Sequence, residues 1–308
     1  MAVGSPFGTL VLIINPQAGR GQVGQEVPEI ERQLQAKKLT YRLIETSTPG
    51  QATETAREAL GAGDRFIVAV GGDETVHAVV NGMIVDDRPA ADGSVLGIIP
   101  AGSGCDFVRT FGLPGDVIKA VRHLADDQTY PIDAGKVSYT DGDGKGVRYF
   151  ANIAEAGFGG AVIRRASRLS DRMKKSGYFF GFWLSLLRQR PFEVEVKADR
   201  KSFSSKATNV LVANCQFSRG GMKVSPRSYP GDGLFDVQIS TGPRSEAFTM
   251  IPKMYRGEHV PNPNIKELRG REITVEADRP LPVHADGEFL GTTPAAFTVL
   301  PQAITLKI

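Results

Sequence analysis

Cysteine is almost missing from this 308-residue chain: Cys105 and Cys215 stand far apart and without a C-x-x-C spacing. That excludes a disulfide framework and a cysteine zinc site, and it fits a reducing cytoplasm. Histidine is as sparse. His77, His123, His259 and His284 show no i, i+4 pairing, which argues against a histidine metal site. Long apolar runs are lacking too. The greasiest stretch, 178–187, is about half of the ~20 residues needed to span a bilayer. Residues 1–8 carry no basic segment and the apolar run at 10–14 is too short for a signal core. The expectation is a cytoplasmic protein that is at most peripheral to a membrane. No excess of one charge exists either. Lys+Arg 37 against Asp+Glu 34 leaves +3, too little to demand a nucleic-acid partner.

What is present is a normal globular composition, 41% hydrophobic and 23% charged, with 35 glycines that imply many tight turns. Up to residue 130, short apolar runs at 9–14, 40–45, 66–70 and 95–99 alternate with helical stripes such as Val27/Ile30/Leu34 and Val76/Val79/Val80/Met83. That βαβαβαβ order predicts a doubly wound parallel sheet. After Tyr130, glycine-punctuated strands at 135–139, 147–153, 192–197, 208–214, 234–240, 273–276, 281–284, 296–300 and 304–308 predict an antiparallel sandwich or barrel, interrupted by a helical insert at 161–190. The fold class is therefore α/β. Residues 1–131 are expected to form an α/β domain and 132–308 a β-sandwich-like domain.

Three strands of the first half run into small-residue turns. Gly19, Gly21 and Gly24 satisfy G-x-G-x-x-G, with Glu45 ending the next strand. This reads as a dinucleotide fingerprint, a flexible turn or a phosphate cradle at a helix N-terminus. Gly71-Gly72-Asp73-Glu74-Thr75 opens another helix, where Asp73 serves as an N-cap or as partner to a phosphate-bound magnesium ion. Pro100-Ala101-Gly102-Ser103-Gly104-Cys105-Asp106-Phe107 follows the fourth strand. Three such turns on one sheet edge favour a phosphate-rich ligand.

The ordered set of motifs resembles the diacylglycerol kinase catalytic-domain family, which includes bacterial lipid kinases and sphingosine kinases. Asn15-Pro16-x-x-Gly19 is similar to its N-P-x-x-G turn, residues 71–75 to G-G-D-G-T, and Pro100–Phe107 to P-x-G-T-x-N-D-F. Asp232-Gly233-Leu234-Phe235-Asp236 and Asp286-Gly287-Glu288 agree in the second half. The resemblance implies ATP- and Mg2+-dependent phosphorylation of a hydroxyl of diacylglycerol or a related lipid, in a cleft between two domains. By position it implies that Asn15, Gly19, Thr46, Gly71, Gly72, Asp73, Thr75, Gly102 and Ser103 hold the nucleotide. It implies Asp286 as the base, and Asp232 as ligand of a structural magnesium ion with the carbonyls of Tyr229 and Leu234.

Two positions depart from the pattern. Glu74 replaces the last glycine of G-G-D-G-T, a position where a glycine raises the expectation of φ > 0, and Cys105 replaces the asparagine of N-D-F with loss of an amide donor. A catalytically impaired nucleotide- or lipid-binding relative is therefore the alternative reading. The insert 161–190 carries eight basic residues against Asp171, around the aromatic run 178–187. It reads as a core helix with a basic end, or as an element docking on an anionic membrane surface. Which lipid is phosphorylated and whether the chain is a homodimer stay open.

Overall fold

Apolar runs buried on both faces become the centre of a parallel sheet. The structure, a computed structural model, describes residues 5–102, 105–142, 144–157 and 190–308. The chain divides into two units, Met1–Ala134 with Leu300–Ile308, and Gly135–Val299.

In the first unit β1 (Leu10–Ile14) is wholly buried and pairs in parallel with β2 (Tyr41–Glu45) and β3 (Phe66–Gly71). After a short hairpin of β4 (Ile84–Val85) and β5 (Arg88–Pro89), β6 (Val95–Pro100) extends the sheet beyond β3. Helices α1 (Gln22–Ala36), α2 (Pro49–Gly61), α3 (Asp73–Met83), α4 (Phe107–Thr110) and α5 (Val117–His123) connect these strands. Local chemistry sets their starts. Thr48 accepts a hydrogen bond from the Gln51 amide with Pro49 at the first helical position, a strong N-cap arrangement. Val23, Ile30 and Leu34 of α1 face a core that includes Leu10, Leu12, Phe66, Val68 and Ile99.

The second unit is antiparallel, with strands β7 (Thr129–Asp141), β8 (Gly144–Phe150), β9 (Ile153–Gly157), β10 (Phe192–Ala198), β11 (Lys201–Ala207) and β12 (Asn209–Ala213). There follow β13 (Phe235–Ser240), α6 (Ala247–Arg256), β14 (Ile265–Gly270), β15 (Glu272–Ala277), β16 (Pro282–Ala285) and β17 (Glu288–Lys307). Two runs, β14-β13-β12-β9-β16 and β11-β10-β15, both join β17 and make a sandwich-like body. Phe150 stacks on Phe235 at 5.5 Å and meets Phe297 edge-on at 6.4 Å, so aromatics from β8, β13 and β17 fill the core.

The sequence left open whether the end of the chain returns to the first domain; Leu300–Ile308 belongs to the first unit. Its strand segment pairs in parallel with β6, Thr305 opposite Val95, and buries Lys307 on Asp126 and the Gln128 carbonyl. The two strands expected at 296–300 and 304–308 are one strand, β17. Strands β9, β11 and β14 and helix α6 were not anticipated. The insert at 161–190 lies, apart from Arg190, outside the described residues.

Candidate active site

The turns after β1, β3 and β6 meet at the C-terminal edge of the parallel sheet. The first is wound by left-handed residues: Gly19, Arg20 and Gly21 have φ of 61°, 65° and 81°. Asn15 Oδ1 accepts the Gln17 amide at 3.0 Å, and the Gly24 amide donates to the Pro16 carbonyl at 3.1 Å. In the second turn Gly71 has φ 155°, and a Cβ there would lie 2.4 Å from Thr75 Oγ1. Only glycine fits. The Gly71 carbonyl accepts the Ala101 amide at 3.2 Å, which ties the second turn to the third. In the third turn Gly102 has φ 83°, and a Cβ there would lie 3.7 Å from Gly19 Cα, which brings the first and third turns together.

Asp73 is the knot between two of these turns. Its Oδ1 accepts the Phe107 amide at 2.9 Å and the Cys105 thiol at 3.3 Å; its Oδ2 accepts the Asp106 amide at 3.0 Å. Burial pushes the Asp73 carboxyl above the usual carboxylate range, against the downward pull of the Asp106 and Phe107 amides. Burial, and then the Asp73 charge, push the Cys105 thiol well up, so it stays protonated as a donor. Cysteine thus keeps a weak donor on Asp73 despite the missing amide. Three of the roughly four acceptor sites of the Asp73 carboxylate are thus taken by the loop it organises.

A recess of this unit is lined by Asn15, Ala18, Thr46, Thr48, Pro49, Ala52, Glu74, Thr75 and Ala78. Thr46 is buried with its hydroxyl donating to the Ile14 carbonyl at 3.1 Å. Asn15, Thr46 and Thr75 are therefore neighbours, with Gly19, Gly71, Gly72 and Gly102 in the adjoining turns. Ser103 lies outside the described residues. Glu74 is exposed in the first turn of α3, and it is absent from the residues with positive φ, so the feared backbone strain does not arise. Sequence reasoning missed Glu26 of α1. Its Oε1 lies 3.4 Å from the Gly102 amide and its Oε2 is buried without a partner among the described residues. No motif marks it; it is one acid within a helical stripe.

In the second unit Asp286 and Gly287, φ 47° and 89°, form the two-residue turn between β16 and β17. The Asp286 carboxylate accepts the amides of Ala151 at 2.9 Å, Asn152 at 3.1 Å and Ile153 at 2.8 Å. Two residues on, Glu288 is partly exposed, with Arg148 Nε 3.5 Å from its carboxylate. Behind this turn lies a buried polar cluster. Glu155, with no exposed surface, is paired with Arg219 and accepts Asn209 Nδ2 at 2.9 Å. Burial alone would raise the Glu155 carboxyl, but Arg219 and then His284 outweigh it and hold it low. His284 Nε2 lies 3.9 Å from Glu155, and burial lowers the ring to about 4, so it is neutral at pH 7.

The expected metal set is placed differently from its implied use. Asp232 Oδ1 accepts the Leu234 amide at 3.0 Å, while Oδ2 is paired with the guanidinium of Arg269. The Tyr229 carbonyl accepts the amides of Gly231 and Asp232 at 2.8 and 3.4 Å. As arranged, these residues do not fit a magnesium ion. Among the described residues no cluster of three His, Cys, Asp or Glu could hold a metal. Nor is any helix among them long and apolar enough to cross a membrane.

Comparisons with known proteins identify the family. The family described as the diacylglycerol kinase catalytic domain matches residues 9–137, and the YegS C-terminal NAD kinase beta sandwich-like domain matches 152–308. The diacylglycerol kinase of Bacillus subtilis (strain 168) is 30% identical over 297 residues, covering 95% of this chain and 94% of that one. The diacylglycerol kinase of Mycobacterium tuberculosis is 26% identical over 301 residues, covering 97% and 94%. A crystal structure of a diacylglycerol kinase from Bacillus anthracis shares the fold with a TM-score of 0.70 at 22% identity, covering 98% and 96%. A second structure from that organism reaches a TM-score of 0.78 at 23% identity, covering 98% and 95%. Matched in both halves and over nearly its full length, the chain belongs to the diacylglycerol kinase catalytic-domain family.

Proposed function

We propose that the protein transfers the γ-phosphoryl group of Mg-ATP to a hydroxyl of diacylglycerol or a closely related lipid. Relatives named diacylglycerol kinase support a lipid kinase, and one observation carries the nucleotide part: three glycine turns meet beside the first turns of α1 and α3. Free N–H groups and the positive end of a helix favour phosphate there. A magnesium ion bound to the triphosphate would neutralise its charge, with water and phosphate oxygens supplying most of its ligands. Asn15, Gly19, Thr46, Gly71, Gly72, Thr75, Gly102 and Ser103 are assigned to the nucleotide, and Asp73 positions the third turn.

The reaction needs a carboxylate to take the proton of the lipid hydroxyl as its oxygen attacks phosphorus and the bond to the departing ADP breaks. The turn Asp286-Gly287-Glu288 supplies it. Asp286 is assigned as that base, its carboxylate aimed by the amides of Ala151, Asn152 and Ile153, with Glu288 beside it in the same turn. The segment 161–190 is assigned to docking on an anionic membrane surface, through its basic residues and aromatic run.

Incubation with radiolabelled ATP, Mg2+ and diacylglycerol in mixed micelles tests the assignment. Label in the lipid phase is expected; none, with folded protein, sinks the kinase reading. A second reading draws on Glu74, whose carboxylate lines the recess beside Thr75. The chain would then bind nucleotide with little turnover, and Glu74→Gly would restore it.

A further inference from the structure

We infer that in this protein a guanidinium, that of Arg269, takes the place of a divalent cation in holding the loop 229–236. The observation is a bridge. Arg269 on β14 stands directly opposite Asp236 on β13, and its Nε lies 3.0 Å from Asp236 Oδ1. Its terminal nitrogen is paired with Asp232 Oδ2. One side chain thus cross-links the two acids of the Asp232-Gly233-Leu234-Phe235-Asp236 segment.

Asp236 Oδ2 is buried without a hydrogen-bond partner among the described residues, while other groups of the loop are engaged and its surroundings are basic. Asp232 Oδ1 takes the Leu234 amide at 3.0 Å, and the Tyr229 carbonyl takes the Gly231 amide at 2.8 Å. Arg271 reaches to 4.0 Å from the Cβ position of Gly233, and Arg227 pairs with Glu267 at 2.9 Å on the same strand as Arg269. A divalent ion bound by Asp232 would have to displace one guanidinium and sit near another. Magnesium also demands near-octahedral oxygen ligation, and like charges close by oppose it. A planar guanidinium suits two carboxylates at fixed spacing, and its charge does not depend on the metal supply.

This inference stands apart from the kinase reading, because it concerns the stability of the loop without nucleotide. The test is thermal unfolding of the nucleotide-free chain in EDTA and in millimolar Mg2+. The wild-type Tm is expected to be the same in both. Arg269→Met should lower the Tm in EDTA by about 2–4 °C and recover part of it in Mg2+, because both carboxylates are released to the ion. Arg269→Lys, which keeps one charge but not the two-pronged fork, should fall between and serves if the methionine variant does not fold. A wild-type Tm that drops in EDTA, returns with Mg2+ and loses that dependence in Asp232→Asn would overturn the inference.

Discussion

The two units hold their key carboxylates by different means. In the first, Asp73 is held by two backbone amides and a thiol. In the second, Glu155 is held by Arg219, and Asp232 with Asp236 by Arg269, while Asp286 sits on three amides. The difference follows from what each site must leave over. Amide donors organise the first site without adding a guanidinium that would compete for phosphate. The β-rich unit also holds Asp286 on amides, but it buries Glu155 of β9 in the middle of a sheet, where an opposite charge with additional hydrogen bonds offsets the loss of water.

The largest expected effect tests the assigned base. Asp286→Asn should lower kcat by about 10²–10⁴-fold. Asp286→Asn should cost roughly 2–4 kcal/mol in urea unfolding, because an amide cannot serve three donors as a carboxylate does. Unchanged kcat in a folded Asp286→Asn would remove Asp286 as the base.

Next comes Glu155→Gln. Arg219 would keep a charge with no carboxylate beside it, so a loss of about 3–5 kcal/mol is expected in chemical denaturation. A loss below about 1 kcal/mol would show that the pair is solvated and that the contrast between the units is overdrawn.

The pH dependence sharpens the same contrast. His284 takes a proton below its ordinary 6.5 in the unfolded chain but only below about 4 when folded. Between these values the unfolded state binds more protons, so stability falls as the pH drops through that window, by roughly 3 kcal/mol in all. Urea midpoints at several pH values check this, and His284→Gln should flatten the slope.

The smallest effect belongs to the first unit. Glu74→Gly should lower the KM for Mg-ATP about five-fold, since one negative charge ~4 Å from phosphate is worth about 1 kcal/mol in water. Glycine in the first turn of α3 should cost up to about 1 kcal/mol in stability. An unchanged KM would place Glu74 away from the nucleotide.

Legibility also differed between the units. Strands β1, β3 and β6 were readable because burial on both faces writes a continuous apolar run, and each is followed by glycine turn chemistry. Strand β11 escaped because its sequence, KSFSSKA, is polar and lies at a sheet edge; β14, IKELRG, is charged because it carries the guanidinium of the Asp232 bridge. In β9, IAEAG, a buried glutamate breaks the apolar pattern, and nothing local announces its arginine partner 64 residues away. Helix α6 escaped because Pro252 lies inside it.

By itself the sequence determined the parallel sheet, the three turns and the motif order that marks the family, since each depends on neighbours a few residues apart. Tertiary structure alone decided how the carboxylates are used. Asp73 binds a neighbouring loop, Asp286 binds three amides, and Arg269 bridges Asp232 and Asp236. An acid's role is set by which donors and charges surround it, and those come from strands distant in the chain.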